Sequence, residues 1–234
     1  MENKKIVILV GCEESQTICK AFRERGFEAY SCDTQECSGG HPEWHLQMDV
    51  FEAIELKKPT VGIFNPPCTF ISNAGARWLY KGGILNEERY SKGLQAKEFF
   101  MKLLNYDLEF IAVENPLPSK VYEMPKFTQI VQPYEYGHGF SKRTLLWLKG
   151  LPKLKPTDIK TDYKPYLPSN TGGAKRGQKA TPKSITQKQS SKTFYGIAKG
   201  MAEQWGDFLN ETYSNKIIKR DININNIHVK FKTI

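Results

Sequence analysis

Residues 5–33 read KIVILVGCEESQTICKAFRERGFEAYSCD, and this stretch decides the fold. The apolar run at 5–10 ends at Gly11, as a buried strand does before a tight turn. Across 13–25, Ile18, Ala21 and Phe22 recur at the spacing of one helical face. A second strand, EAYSC at 28–32, then ends at Asp33. Working outward, a Gly-Gly turn follows at 39 and 40, and VGIF at 61–64 runs into Asn65, Pro66, Pro67 and Cys68. A helix is predicted over about 86–105, and FIAV at 110–113 ends at Glu114, Asn115 and Pro116. This alternation predicts an α/β fold with a mostly parallel central sheet and helices on both faces. TLLWL at 144–148 reads as a further strand. GIAKGMAEQWGDFL at 196–209 places Ile197, Met201, Trp205 and Phe208 on one stripe of a closing helix.

The chain has 234 residues, which suits one large domain, expected over 1–212, and a tail over 213–234 whose IHVKF alternates like a strand. Hydrophobic residues at 39% and charged residues at 25% exclude global disorder and collagen-like repeats. No stretch approaches the roughly 20 apolar residues of a membrane helix, and Glu13 and Glu14 interrupt the first apolar run too early for a secretory signal. Five scattered cysteines make no disulfide framework, so reduced thiols and a cytoplasmic setting are expected. The sequence sets no oligomeric state. The net charge is +9, and no acid occurs between Asp162 and Glu203, where eight basic residues lie. The turn-rich stretch 164–192, with Lys175, Arg176 and Lys179, is therefore expected to be a loop that meets a polyanion; a plain solvated loop is the alternative.

In open α/β sheets, ligands bind beyond the carboxyl ends of the strands. Those ends carry Gly11, Asp33, Asn65 to Cys68, and Glu114 to Pro116, so polar groups are expected to converge on one edge. Cys68 follows two prolines that stiffen the backbone presenting its thiol. A cysteine after a strand is often only a small buried hydrophobe, but Glu114, one helical crossover later, points to a paired role. A thiol and a carboxyl facing each other across strand ends can attack and protonate a ring. Cys32, Cys37, His41 and His45 have ligand types suited to zinc, but DTQECSGGHPEWH reads equally as an ordinary turn-rich loop, and no metal is expected.

On these residues the sequence resembles the DNA cytosine-5 methyltransferase family, and more narrowly its short, single-domain phage-type members. Pro67 and Cys68 match the proline-cysteine motif, with Ser72 and Gly75 at the family's spacing in PPCTFISNAG. Glu114, Asn115 and Pro116 match the glutamate motif, and Arg143 in SKRTLLWL takes the place of the first arginine of the arginine motif. The chain departs from the pattern at Thr69, Ser141 and Leu145. The resemblance covers about 5–150 and, more loosely, 193–206. It implies a Rossmann-like methyltransferase fold, S-adenosylmethionine as methyl donor, and Cys68, Glu114 and Arg143 as the catalytic set. It also implies Gly11 beside the methionine moiety, Asp33 on the ribose and Asp49 on the adenine, with Asn65 and Pro66 completing the cofactor side. GCEES stands where the family carries a glycine-rich turn.

DNA is the implied partner, contacted by Ser72, Lys175, Arg176 and Lys179, with RNA or a nucleotide as alternative substrates. A catalytically idle nucleic-acid or nucleotide binder and an amino methyltransferase are the other readings. NPPC resembles half of the amino-methyltransferase motif, but Cys68 replaces its aromatic platform.

Overall fold

Strands that are apolar at successive positions need cover on both faces, and the strands of this chain receive it. The structure, a computed structural model, describes residues 5–76, 78–165 and 192–231. The central sheet contains β1 (Val7–Gly11), β2 (Glu28–Asp33), β3 (His45–Gln47), β4 (Val61–Phe64), β7 (Phe110–Asn115), β8 (Gln129–Val131) and β10 (Thr144–Lys149). Their order is β3-β2-β1-β4-β7-β10-β8. The first five run parallel, and β10 is antiparallel to both of its neighbours. The remaining strands are the hairpin β5 (Tyr80–Lys81) and β6 (Ile84–Leu85), and the pair β9 (Phe140–Ser141) and β11 (Lys164–Pro165).

Alternate residues divide the core in two. Ile8, Val10, Val61, Ile63, Phe110 and Ala112 pack with α1 (Thr17–Glu24) and with a long closing helix. Leu9, Phe64, Ile111 and Val113 face the other side, against α2 (Val50–Lys57) and α4 (Glu87–Leu104). A short α3 (Asn73–Ala76) lies between β4 and the hairpin. The mostly parallel α/β sheet with helices on both faces is thus the architecture of the chain.

Three local expectations change. α1 begins at Thr17 rather than Glu13, because Cys12 and Gln16 take left-handed backbone and Glu13 to Gln16 form a buried turn. β3 forms inside the segment read as loop, pairing Cys32 with Leu46. The closing helix, α5, runs over Tyr195–Phe231, so IHVKF is helical and not an edge strand. Once 195–209 has met the cost of nucleation, no Gly or Pro after Gly206 stops its propagation. Among the described residues no helix is long and apolar enough to cross a membrane.

The chain builds β1, β2 and β3 outward on one side, then crosses to build β4 and β7 on the other. Loops leaving β1 and β4 diverge at this reversal, which opens the crevice where such sheets take ligands.

Candidate active site

Two hydrogen bonds fix the backbone just ahead of Cys68. Asn65 N–H donates to Gly11 O at 3.0 Å, which carries the β1–β4 pairing past the end of both strands. Asn115, buried at the end of β7, donates Nδ2–H to Pro66 O at 2.9 Å. Beyond Cys68 the chain folds back: Ser72 N–H donates to Cys68 O at 3.0 Å, and Ser72 Oγ accepts from Gly75 N–H at 3.2 Å. Arg89 of α4 closes the loop by donating to Thr69 O at 3.1 Å and to Gly75 O at 3.0 Å. A Cβ at Gly75 would sit 2.1 Å from Thr69 O, so the crossing needs glycine. Asn115 and Arg89, which sequence motifs did not single out as braces, hold the cysteine's loop from both sides.

Cys68 lies within electrostatic reach of Glu114. Phe64 pairs with Val113, which sets Glu114 level with Asn65 at the rim. Burial pushes the Cys68 thiol up, the Glu114 carboxylate pushes it further, and the Lys142 ammonium pulls it back. Burial likewise pushes the Glu114 carboxyl up, again opposed by Lys142. Among the described residues nothing donates a hydrogen bond to that carboxylate. The pair is therefore a thiol beside a carboxyl held toward its protonated form.

Lys142, not Arg143, supplies the charge felt by both groups; Arg143 is exposed. The chain enters β10, where Thr144 to Trp147 are buried, through half-buried Lys142 and exposed Arg143. Lys142 also lies over the Phe194 ring, 5.7 Å from its centroid. Ser72, expected on nucleic acid, is buried and braces the loop from within. Lys175, Arg176 and Lys179 lie outside the described residues.

On the other side of the crevice, a Cβ on Gly11 would come within 2.5 Å of Val50 Cγ2 and 2.8 Å of Phe64 Cδ1. The glycine is thus required by packing alone. Cys12 follows it, its thiol pushed up to about 12 by burial and then by Asp33, Cys32 and Asp49. The two acids expected on the cofactor therefore converge on one turn. Asp33 Oδ1 accepts from Gln35 N–H at 2.9 Å, and Asp49 Oδ1 accepts from Phe51 N–H at 2.8 Å, capping α2. The glycine-rich turn is replaced by a carboxylate: buried Glu13 accepts from Ile18 N–H at 2.7 Å and Cys19 N–H at 3.2 Å, and burial pushes it up to about 7. Glu14 binds Ser38 Oγ, which also accepts from Lys192 Nζ at 3.1 Å.

The zinc-type residues are dispersed. Cys32 Sγ donates to Met48 O, Cys37 Sγ to Gln16 Oε1, His45 bridges Ser31 Oγ and Gln35 O, and His41 stacks on Trp44 at 3.8 Å. Among the described residues no group of three or more His, Cys, Asp or Glu could hold a metal ion.

Asp33 and Asp49 both act on Cys12, and Asn65 Oδ1 is buried without a hydrogen-bond partner, so the acceptors present are of the kind that the hydroxyls and amine of S-adenosylmethionine would need. No protein-family model matches the chain, and no curated protein matches it. Among solved structures it is similar to the Entamoeba histolytica methyltransferase EhMeth, at 14% identity and a TM-score of 0.44, covering 67% of this chain and 58% of that one. The chain thus spans just over half the length of that protein.

Proposed function

We propose that this chain transfers a methyl group from S-adenosylmethionine to carbon 5 of cytosine in DNA, by covalent catalysis through Cys68. The observation that carries the reading is the shared field of Cys68, Glu114 and Lys142 at the ends of adjacent parallel strands. The Cys68 thiol gives its proton to water, and the thiolate adds to carbon 6 of the base. Glu114, held toward its protonated form, hydrogen-bonds and protonates ring nitrogen 3, so the electron pair from sulfur accumulates at carbon 5. Lys142 offsets the negative charge of the thiolate and then of Glu114. S-adenosylmethionine supplies an electrophilic methyl group when bound. Carbon 5 takes that methyl group, a base then removes the carbon 5 proton as the carbon 6–sulfur bond breaks and releases the Cys68 thiolate, and the proton on ring nitrogen 3 returns to Glu114. Gly11, Asp33, Asp49 and Asn65 hold the donor across the crevice. Lys175, Arg176 and Lys179 belong to the DNA contact.

The test is transfer of a tritiated methyl group to DNA, RNA and nucleotide pools. Cys68→Ser abolishes transfer while calorimetric affinity for S-adenosylmethionine stays unchanged, because a hydroxyl is a far weaker nucleophile at neutral pH. Transfer at a near wild-type rate by that variant overturns the cysteine mechanism.

A further inference from the structure

Arg89 ties the loop that carries Cys68 to a second feature, an open groove of about 870 Å³. The groove is walled by Phe70, two residues past Cys68, and by the β5–β6 hairpin with the start of α4. Three large apolar side chains of this one short stretch are more than half exposed: Trp78 at 60%, Tyr80 at 53% and Ile84 at 76%. The segment that holds them is tied at its base. Buried Leu79 anchors it, Leu79 O accepts from Asn86 N–H at 2.8 Å, and Gly82 and Gly83 close the turn with positive φ.

Charge completes the pattern. Lys81, Arg89 and Lys92 line the same groove, and its one acid, Glu88, is paired with Lys92 at 2.5 Å. Exposed aromatic faces among cations are the recognition chemistry of unstacked bases on a phosphate backbone. A duplex hides its base faces, and an apolar protein partner would leave Lys81 and Arg89 without counter-charges.

We propose that this groove binds a single-stranded nucleic-acid segment, with a base stacked on Trp78 or Tyr80 and the backbone running past Lys81 and Lys92. The proposal rests on the reading of Cys68 as acting on a nucleic-acid base, and it deepens that reading. The strand that offers a base to Cys68 is gripped, already opened, by a neighbouring base two residues along the same loop. A flipped or unpaired target is thereby held out of its stack by contacts outside the reacting pocket.

The experiment is fluorescence anisotropy of the full chain, without cofactor, using a short labelled thymidine-only oligodeoxynucleotide, its uridine counterpart and a duplex of equal length. Thymine and uracil lack the basic ring nitrogen 3 that Glu114 would protonate, and the Cys68→Ser variant separates binding in the groove from binding in the Cys68 pocket. Trp78→Ala weakens single-strand binding by about tenfold, Lys81→Ala lowers its log–log salt slope by about one, and Cys68→Ser changes neither. The DNA and RNA arms identify the source of the strand. Unchanged affinity in both Trp78→Ala and Tyr80→Ala overturns the groove, as does duplex binding that is tighter than single-strand binding. If methyl transfer fails on every substrate while Trp78→Ala still releases the oligonucleotide, the groove stands and the Cys68 chemistry falls.

Discussion

At the β1–β2–β3 end of the crevice the polar side chains already serve the fold, whereas at the β4–β7 end buried acceptors stand without donors. Glu13 caps α1, Asp49 caps α2, Gln16 binds Ser31 Oγ and His41 O, and Gly11 is required by Val50 and Phe64. Across the crevice, Asn65 Oδ1 and Asn115 Oδ1 are buried without hydrogen bonds, and the Glu114 carboxylate has only the charge of Lys142 to offset its burial. An orphaned buried acceptor costs roughly 1–3 kcal/mol. At the first end these side chains are already engaged by the fold. The second sets unpartnered acceptors beside a cysteine and a carboxyl, and the functional reading rests on that pair, Cys68 and Glu114.

The largest expected effect that breaks this contrast is at Glu114. Glu114→Gln keeps the shape and loses the transferable proton, so methyl transfer falls by about 10²–10⁴-fold. The same change removes the carboxylate that holds the Cys68 thiol up, so alkylation of Cys68 by iodoacetamide moves to lower pH. Transfer down and thiol reactivity up, in one variant, is the signature of a working pair. A fall in both would mean that Glu114 serves only the loop's structure.

Next comes the folding role of Glu13. Its folded carboxyl lies at about 7 against an ordinary 4.5, so the folded chain holds the proton more tightly than the unfolded chain does. Stability is therefore greatest below 4.5 and is lost as pH rises to about 7, by about 3 kcal/mol. Urea unfolding of Glu13→Gln across pH 5 to 8 should show the Glu13 part of this slope removed, leaving the tilt of the same sign from Glu114. An unaltered slope would mean that Glu13 is solvated and that the two ends are alike.

Asp33 and Asp49 sharpen the comparison further. Asp33→Ala should cost about 1–3 kcal/mol of S-adenosylmethionine affinity. Asp49→Ala should lower both that affinity and, through the lost α2 cap, stability by roughly 1 kcal/mol. Calorimetry and thermal melts separate the two, and unchanged affinity in both variants would remove the cofactor assignment.

Much of this was legible in the residues, because apolar runs ending in Gly11, Asp33, Asn65 and Glu114 report strands buried on both faces. The same rule set Cys68 and Glu114 at one edge. β3 was not legible, since three residues with one leucine carry no periodicity and only pairing with β2 makes them a strand. The tail misled through local alternation at 227–231, where helix propagation from 195 overrides a short pattern. Arg89 and Asn115 as braces, and Trp78 with Tyr80 as a wall, depend on contacts across 14 to 49 residues of sequence, which spacing within a motif does not encode.

The smallest effect distinguishes neighbours. The motif reading places the cation at Arg143, while the structure directs the charge of Lys142 at the thiol and leaves Arg143 exposed. Lys142→Met should raise the pH at which Cys68 becomes alkylated, because the one group that favours the thiolate by charge is gone. The shift is smaller than that of Glu114→Gln and opposite in sign, since Glu114 acts on the thiol more strongly than Lys142 does. Arg143→Met should leave the profile where it is. In the double variant Glu114→Gln with Lys142→Met the two shifts oppose, and the midpoint falls between those of the single variants. A profile that follows Arg143 instead would return the cation to the motif position and would require β10 to enter the sheet with its side chains exchanged.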